Sequence, residues 1–126
     1  MLHDELTINI TPIESSRIES VDWENLPFGK VFSDHMLVMD YKNGEWQQPE
    51  IMPFGKLELH PATSAIHYGH SIFEGMKATK DSEGNVIIFR PDLNAKRFHE
   101  SCERMCMPII PESTFVDLIR KTVDLD

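Results

Sequence analysis

The sequence predicts an α+β domain with a mostly antiparallel sheet and two main helices on one of its faces. Before Pro91, the chain consists mainly of short segments that are apolar or alternate between apolar and polar residues, as strands do. Residues with turn chemistry separate several of these segments, Asn43-Gly44 most clearly. After Pro91, two stretches carry apolar residues at helical spacing instead. Runs of strands followed by helices are typical of the α+β class.

The first predicted strand is 4–10, where Leu6, Ile8 and Ile10 alternate with polar residues. Residues 11–30 lack periodicity and contain prolines, so they are predicted to form a loop that crosses the surface. The apolar residues expected to anchor this loop are Ile18, Val21 and Trp23.

The middle of the chain predicts a hairpin. Residues 35–41 form an apolar, strand-like run that is followed by Asn43-Gly44. Because both central residues of the favoured two-residue turn need positive φ, this pair predicts a return strand over 45–48. Alternation at 56–60 predicts a further short strand.

The last predicted strand pair is 73–79 with 86–90, joined by a polar turn. The uninterrupted apolar run at 86–89 predicts a strand that is covered on both faces. Before this pair, Thr63 or Ser64 is placed to cap a short helical piece.

Pro91 predicts the start of a helix, since the first helical position does not need the N–H that proline lacks. Apolar and small residues along one side extend this helix to about Met105. Arg97 lies at the edge of that side, from which its charged head can reach into a cleft. An apolar stripe predicts a second helix from Glu112 to about Leu125.

Composition bounds the class of protein. A length of 126 residues fits one domain, 1–126, with a single core. The net charge of −9, from 12 basic and 21 acidic residues, argues against a nucleic-acid partner, because a phosphate backbone needs a basic surface. No apolar run reaches the length of a membrane span. The start of the chain carries acids where a targeting peptide would be basic, so a cytoplasmic location is expected.

Cys102 and Cys106 are the only cysteines, and their spacing places them on roughly one face of the first helix. A metal or redox pair is the functional interpretation, but the close spacing and the second ligand pair of such sites are absent. Two small buried side chains are therefore the favoured interpretation. The six histidines show no metal-ligand pattern, so no metal site is predicted.

The segment that ends with Arg97 combines aromatic residues, glycines and an arginine at short spacing. Gly69 and Gly75 allow the backbone to approach a ligand closely, since no side chain intervenes. Tyr68 and Phe73 would form an apolar wall with a phenol as its one polar group. Arg97 offers a permanently charged fork for a phosphate. These features predict a pocket for a small, flat, phosphorylated molecule.

Three sequence blocks carry a family resemblance: HYGHSIFEGMKA, FRPDLNAKRF and FGKVFSDHM. Their joint occurrence resembles the small domain of the class IV aminotransferases, the fold-type IV pyridoxal-phosphate enzymes. The third block is similar to the branched-chain amino-acid aminotransferases within that group. The resemblance covers the chain from about Phe28 to its end and, more weakly, the strand-like start. It implies a two-layer α/β sandwich and an amino-terminal position for this domain.

The resemblance also implies roles for individual residues. Arg97 matches the second arginine of the pattern FRPxLNxxR and would bind the phosphate of pyridoxal 5′-phosphate. Tyr68 and Phe73 match the tyrosine and phenylalanine of the substrate pocket, and the ring of Phe28 would border the substrate side chain. Such an apolar pocket suits branched-chain amino acids and their 2-oxo acids. The family forms homodimers, so self-association is expected.

Each of these residues has an ordinary alternative. Arg97 would otherwise form a surface or interface ion pair, and the three aromatic residues would fill core positions. Glu74 is a catalytic acid by type, with a pKa raised by its aromatic neighbour, although a structural role is favoured. Lys77 is a candidate Schiff-base lysine by type, but the lysine of the FEGMKA block is not the one that the family uses.

Transamination requires a cofactor-linked lysine and an acidic partner for the pyridine nitrogen. The resemblance places both in a large domain that no stretch of this sequence matches. The chain is therefore expected to be an inactive small-domain part of a transaminase acting between Leu, Ile or Val and 2-oxoglutarate. A D-amino-acid aminotransferase or an aminodeoxychorismate lyase is the alternative within the superfamily. A non-catalytic binding or dimerisation module is the alternative from another class.

Overall fold

The computed structural model describes residues 7–126, which divide into two compact units. The first unit contains the described residues up to Lys56 together with Leu125–Asp126, and the second is Leu57–Asp124. Among these described residues, no helix combines the length and the apolar character that a membrane crossing needs. The prediction of a single domain over 1–126 stays a prediction.

Short strands and three helices make up the regular structure of residues 7–126. The strands are β1 Asn9–Ile10, β2 His35–Val38, β3 Tyr41–Lys42, β4 Glu45–Trp46, β5 Glu50–Pro53, β6 Ala78–Lys80 and β7 Val86–Ile88. The helices are α1 Ser64–Tyr68, α2 Pro91–Arg104 and α3 Glu112–Leu125. The predicted α+β class is confirmed, with mostly antiparallel pairing and two main helices.

The core of the first unit is built around β5, which lies between β1 and β2 in a three-stranded sheet. β1 pairs with β5 in parallel and β2 pairs with it antiparallel, so Ile51 stands opposite both Ile10 and Leu37. Ile51 is only 1% exposed, because it belongs to the central strand of the sheet. The sequence did not predict β5, because Pro49 precedes it, Pro53 ends it, and prolines are signals against a strand.

The strand predicted at 56–60 is wrong, since those residues form no strand and Leu57 and Leu59 are exposed. An alternation that rests on two apolar residues is too short to specify a strand, because a strand also needs a partner that supplies ladder hydrogen bonds. The first predicted strand is also shorter than expected. Only Asn9–Ile10 pairs, and 4–6 lie outside the described residues.

The predicted hairpin turn is confirmed between β3 and β4. The strand predicted at 35–41 is divided, because His35–Val38 pairs with β5 and only Tyr41–Lys42 pairs with the return strand, which ends at Trp46. Asn43 and Gly44 both have positive φ, at 56° and 88°, as a two-residue turn of this kind requires. The ring of Tyr41 meets that of Trp46 edge-on, with centroids 5.1 Å apart. Cross-strand aromatic pairs of this kind stabilise a short ladder.

The predicted loop at 11–30 contains no strand and only a 3₁₀ turn at Ile18–Ser20. A polar contact anchors this loop, because Asp34 accepts hydrogen bonds from Ser16 Oγ at 2.6 Å and from Arg17 Nε at 2.8 Å. These bonds lower the pKa of Asp34 to about 2, the serine hydroxyl contributing most. Of the three predicted anchors, Ile18 and Trp23 are exposed and only Val21 is half-buried, so the prediction is wrong for Ile18 and Trp23.

The second unit contains the antiparallel pair of β6 and β7. The Asp81 carboxylate closes their turn by accepting the backbone N–H groups of Glu83 and Asn85, at 2.9 and 2.8 Å. The pair is shorter than predicted, and 73–77 form no strand. Coverage of 86–89 on both faces is also wrong, because Val86 and Ile87 remain substantially exposed.

The two long helices match their predicted bounds closely. Pro91 begins α2, and Ala95 and Cys102 are buried along its inner side. Leu118 is the buried residue of α3, and the rings of Phe98 and Phe115 stack with centroids 4.8 Å apart. These contacts account for the apolar stripes on which both helices were predicted.

The carboxyl end of α2 explains why the two cysteines differ. Met107 N–H donates to the Cys102 carbonyl at 2.9 Å, and Cys106 N–H donates to the Glu103 carbonyl at 3.1 Å. This is the Schellman pattern, which needs a left-handed residue past the helix end, and Cys106 takes it with φ of 53°. Cys102 is buried, which raises the pKa of its thiol, whereas Cys106 is exposed. The prediction of two buried cysteines is therefore wrong for Cys106.

Candidate functional site

Arg97 and Asn94 lie on one face of α2 and both bind the Glu74-Gly75 segment. Arg97 donates from Nε to Glu74 Oε2 at 2.7 Å and from Nη2 to Glu74 Oε1. Asn94 Nδ2 donates to Glu74 Oε1 and to the Gly75 carbonyl, both at 3.0 Å. The Gly75 N–H also donates to Glu74 Oε1, at 2.9 Å. Glu74 is thus the common acceptor of this network.

The two members of the ion pair differ in burial. The Glu74 side chain is 5% exposed, whereas the Arg97 side chain is 67% exposed. A buried carboxylate is costly unless it is paired and hydrogen-bonded. Arg97 foremost, then Asn94 and Gly75, lower the pKa of Glu74 to about 2 against the opposing effect of burial. A general acid with a raised pKa is therefore the wrong interpretation of Glu74.

This pKa shift predicts a pH dependence of stability. The pKa of Glu74 lies below its ordinary value of 4.5 in the folded state, so its contribution is present above pH 4.5 and is lost as the pH falls toward 2. The free energy of unfolding of a Glu74→Gln variant should therefore fall less across this window than that of the unsubstituted protein. Denaturant titrations at several pH values measure this difference.

A matched control is Glu100→Gln, which removes an exposed carboxylate from the same helix. It should retain the steep loss of stability between pH 4.5 and 2. If the Glu74→Gln variant lost as much stability between pH 4.5 and 2 as the unsubstituted protein, the conclusion that the paired Glu74 carboxylate stabilises the fold would be contradicted.

The exposed guanidinium of Arg97 retains capacity for a ligand. Its ordinary alternative, an ion pair, is present, but Glu74 occupies only two of the five N–H groups of an arginine. Among residues 7–126 the guanidinium makes no other hydrogen bond. The remaining donors form a charged edge of the kind that binds a phosphate group.

The two predicted pocket residues of the same unit, Tyr68 and Phe73, are not core residues. Tyr68 is 86% exposed and Phe73 is 91% exposed, so the alternative that they fill the interior is wrong. Tyr68 is the last residue of α1, and Gly69 closes that helix in the left-handed region with φ of 62°. Large aromatic side chains that fail to enter a core are typical of surfaces that bind a ligand or another part of a protein.

Two histidines fix the segment that carries Tyr68, and the sequence did not assign them this role. His67 Nε2 lies 2.5 Å from the Pro61 carbonyl, and His70 Nε2 lies 2.8 Å from the Met105 carbonyl. A carbonyl only accepts, so both nitrogens carry a proton. The His70 bond satisfies a backbone group at the end of α2, where carbonyls lack helical partners.

The predicted cap of α1 is correct in position but not in chemistry. Thr63 is the residue before the helix, yet its hydroxyl donates to the His60 carbonyl at 2.6 Å and makes no cap bond. Lys77 is exposed. Within residues 7–126, no cluster of three or more histidine, cysteine or acidic side chains is arranged to hold a metal ion.

Phe28 belongs to the first unit and is fully exposed there, so its core alternative is also wrong. It lies on the wall of a groove of about 460 Å³. The other apolar residues of that wall include Trp23, Leu26 and Phe32. The groove is therefore a mostly apolar surface that Phe28 shares with the loop before β2.

Several known proteins that are similar to this chain are aminotransferases. No protein-family model matches the chain. Over 109 residues it is 44% identical to branched-chain-amino-acid transaminase 1 of Bacillus subtilis, a match that covers 86% of this chain and 31% of that protein. It is 35% identical to the branched-chain-amino-acid aminotransferase of Mycolicibacterium smegmatis over 122 residues, covering 96% of this chain and 33% of that protein.

The similarity extends to animal proteins. The mitochondrial branched-chain-amino-acid aminotransferase of Bos taurus is 45% identical over 102 residues, covering 80% of this chain and 26% of that protein. The chain spans about a third or less of the length of these curated relatives. Over most of its own length, it is thus related to the branched-chain amino-acid aminotransferases. The resemblance predicted from the three sequence blocks is confirmed.

Proposed function

We propose that this chain is the small-domain part of a branched-chain amino-acid aminotransferase. The whole protein would transfer an amino group between Leu, Ile or Val and 2-oxoglutarate, with pyridoxal 5′-phosphate as cofactor. The names of the similar proteins support this reaction. Pyridoxal phosphate would supply the electron sink on which amino-group transfer depends.

The observation that carries the proposal within the structure is the exposure of the predicted site residues. Tyr68, Phe73 and Phe28 all remain outside the core, and Arg97 keeps a free charged edge. If a ligand or another part of the protein covered these rings, each Å² of apolar surface removed from water would contribute about 25 cal/mol of stabilisation. The arginine would hold the cofactor phosphate, and the rings would exclude water from the substrate side chain.

The roles of the aromatic residues differ. Phe28 and Phe73 carry no polar group, so they would select apolar side chains by burial alone. The hydroxyl of Tyr68 would be desolvated when substrate binds and would then need a partner, which the substrate carboxylate supplies. A homodimer and a cytoplasmic location belong to the same proposal.

Substrate profiling of the protein expressed from its complete coding sequence tests the reaction. With 2-oxoglutarate as acceptor, L-leucine, L-isoleucine and L-valine should give the highest kcat/KM. Alanine should be poorer by at least about tenfold, since each buried CH₂ contributes about 0.8 kcal/mol. D-Amino acids and aminodeoxychorismate serve as competing substrates in the same assay, and faster turnover of either would contradict the proposal.

A further inference from the structure

We propose that Glu74 is a positioning residue for phosphate recognition. With Asn94, it fixes the orientation in which the Arg97 guanidinium binds the cofactor phosphate. The inference rests on the proposed function, because that function requires Arg97 to bind the cofactor phosphate. Glu74 itself does not touch the phosphate in this proposal and is not a catalytic residue.

The contacts form a hydrogen-bonded support for an exposed side chain. Arg97 is mostly exposed, and an exposed arginine retains many rotamers that a ligand must select among. Glu74 binds Nε and Nη2, the two donors along one edge, and so fixes the plane of the guanidinium. The Glu74 carboxylate is held in turn by Asn94 and by the Gly75 N–H. The opposite edge then points to a defined direction before any ligand arrives.

Asn94 has a second bond that extends this support to the backbone. Its Nδ2 donates to the Gly75 carbonyl at 3.0 Å as well as to Glu74 Oε1. Both N–H groups of one amide are therefore committed to the Glu74-Gly75 segment. This segment directly follows Phe73, so the same bonds fix the backbone from which that ring projects.

The negative charge of Glu74 and its positioning role have opposite effects on phosphate binding. The direction in which Kd changes when Glu74 is neutralised therefore tests the positioning role. A carboxylate beside a phosphate site repels the phosphate, so neutralising Glu74 would tighten binding if charge decided the outcome. If positioning decides it, the same change would weaken binding. The pKa of Glu74 near 2 keeps the carboxylate charged at neutral pH, so both effects operate in the working protein.

The experiment uses Glu74→Gln in the protein expressed from its complete coding sequence. Fluorescence titration gives Kd for pyridoxal 5′-phosphate and for pyridoxal, which lacks the phosphate. Positioning predicts that Kd for pyridoxal 5′-phosphate rises about tenfold, while Kd for pyridoxal changes less than about twofold. Such selectivity separates loss of phosphate recognition from general loss of structure.

A matched control is Asp92→Asn. Asp92 accepts two bonds from Arg90 at 3.1 and 3.0 Å, a similar carboxylate–guanidinium pair near the start of the same helix. This variant should leave both dissociation constants unchanged. An effect equal to that of Glu74→Gln would overturn the specific role of Glu74.

The remaining outcomes are distinguishable. Unchanged or tighter binding of pyridoxal 5′-phosphate by Glu74→Gln overturns the inference. Suppose that Glu74→Gln overturns the inference in this way. If Arg97→Gln then loses phosphate-selective binding, the proposed function stands without the positioning role of Glu74. If Arg97→Gln also binds pyridoxal 5′-phosphate normally, the role of Arg97 as the phosphate anchor fails as well. Should Glu74→Gln not fold, Asn94→Ala decides, because it keeps the ion pair and removes its support. A phosphate-selective rise in its Kd supports positioning, and no change overturns it.

Discussion

Replacing Arg97 with glutamine is expected to weaken the binding of pyridoxal 5′-phosphate about 100-fold. A hydrogen bond to a charged group contributes about 1.5–3 kcal/mol, and a 100-fold change corresponds to about 2.7 kcal/mol. Arg97 keeps three N–H groups free of Glu74, which is enough for a two-bond contact with phosphate oxygens. The measurement is Kd for the cofactor, with pyridoxal as the ligand that lacks the phosphate.

Two further variants sharpen this test. Arg97→Lys keeps the charge but loses the planar fork, so its Kd should lie between those of the unsubstituted protein and Arg97→Gln. Arg120→Gln removes an exposed arginine from α3 and should leave Kd unchanged. Equal affinity for pyridoxal 5′-phosphate and pyridoxal in the unsubstituted protein would contradict an arginine anchor for the phosphate.

The sequence predicted the long helices well because their signals are local. Pro91 marks the start of α2, and periodic apolar residues carry α2 and α3 to their observed ends. The Asn43-Gly44 turn was equally local, because positive φ is a property of those two residues. Such features depend on few distant contacts.

Strands were harder to predict because each depends on a partner. β5 carries the most buried isoleucine of the first unit, yet its sequence reads as a proline-bounded loop. The alternation at 56–60 predicted a strand where none forms. In both cases the pairing of distant segments decides the outcome, and the local pattern does not specify that pairing.

The candidate site shows the same division. Motifs identified Arg97, Tyr68 and Phe73, but they did not show that Glu74 and Asn94 hold the arginine. That relation joins an irregular segment to a helix twenty residues further on, so only the fold brings the groups together. One signal was available: Asn94 and Arg97 share a helix face, which marks them as partners for one acceptor.

Residues 1–126 expressed alone are expected to show no turnover of L-leucine with 2-oxoglutarate. The resemblance places the cofactor-linked lysine and the acidic partner of the pyridine nitrogen outside them, and the chain spans at most a third of its curated relatives. Phosphate contacts alone supply binding and orientation but no group that moves a proton at the reacting carbon. Circular dichroism should first establish that the expressed chain is folded. The protein from the complete coding sequence is the positive control.

The most direct test of the account is the location of the cofactor-linked lysine. The protein from its complete coding sequence is loaded with pyridoxal 5′-phosphate, reduced with borohydride, digested and examined by mass spectrometry. We expect one modified lysine, outside residues 1–126. Two results would contradict the proposal that this chain is the phosphate-binding part of a branched-chain amino-acid aminotransferase. One is stoichiometric modification of Lys77, and the other is the absence of any covalent cofactor in a folded and loaded protein.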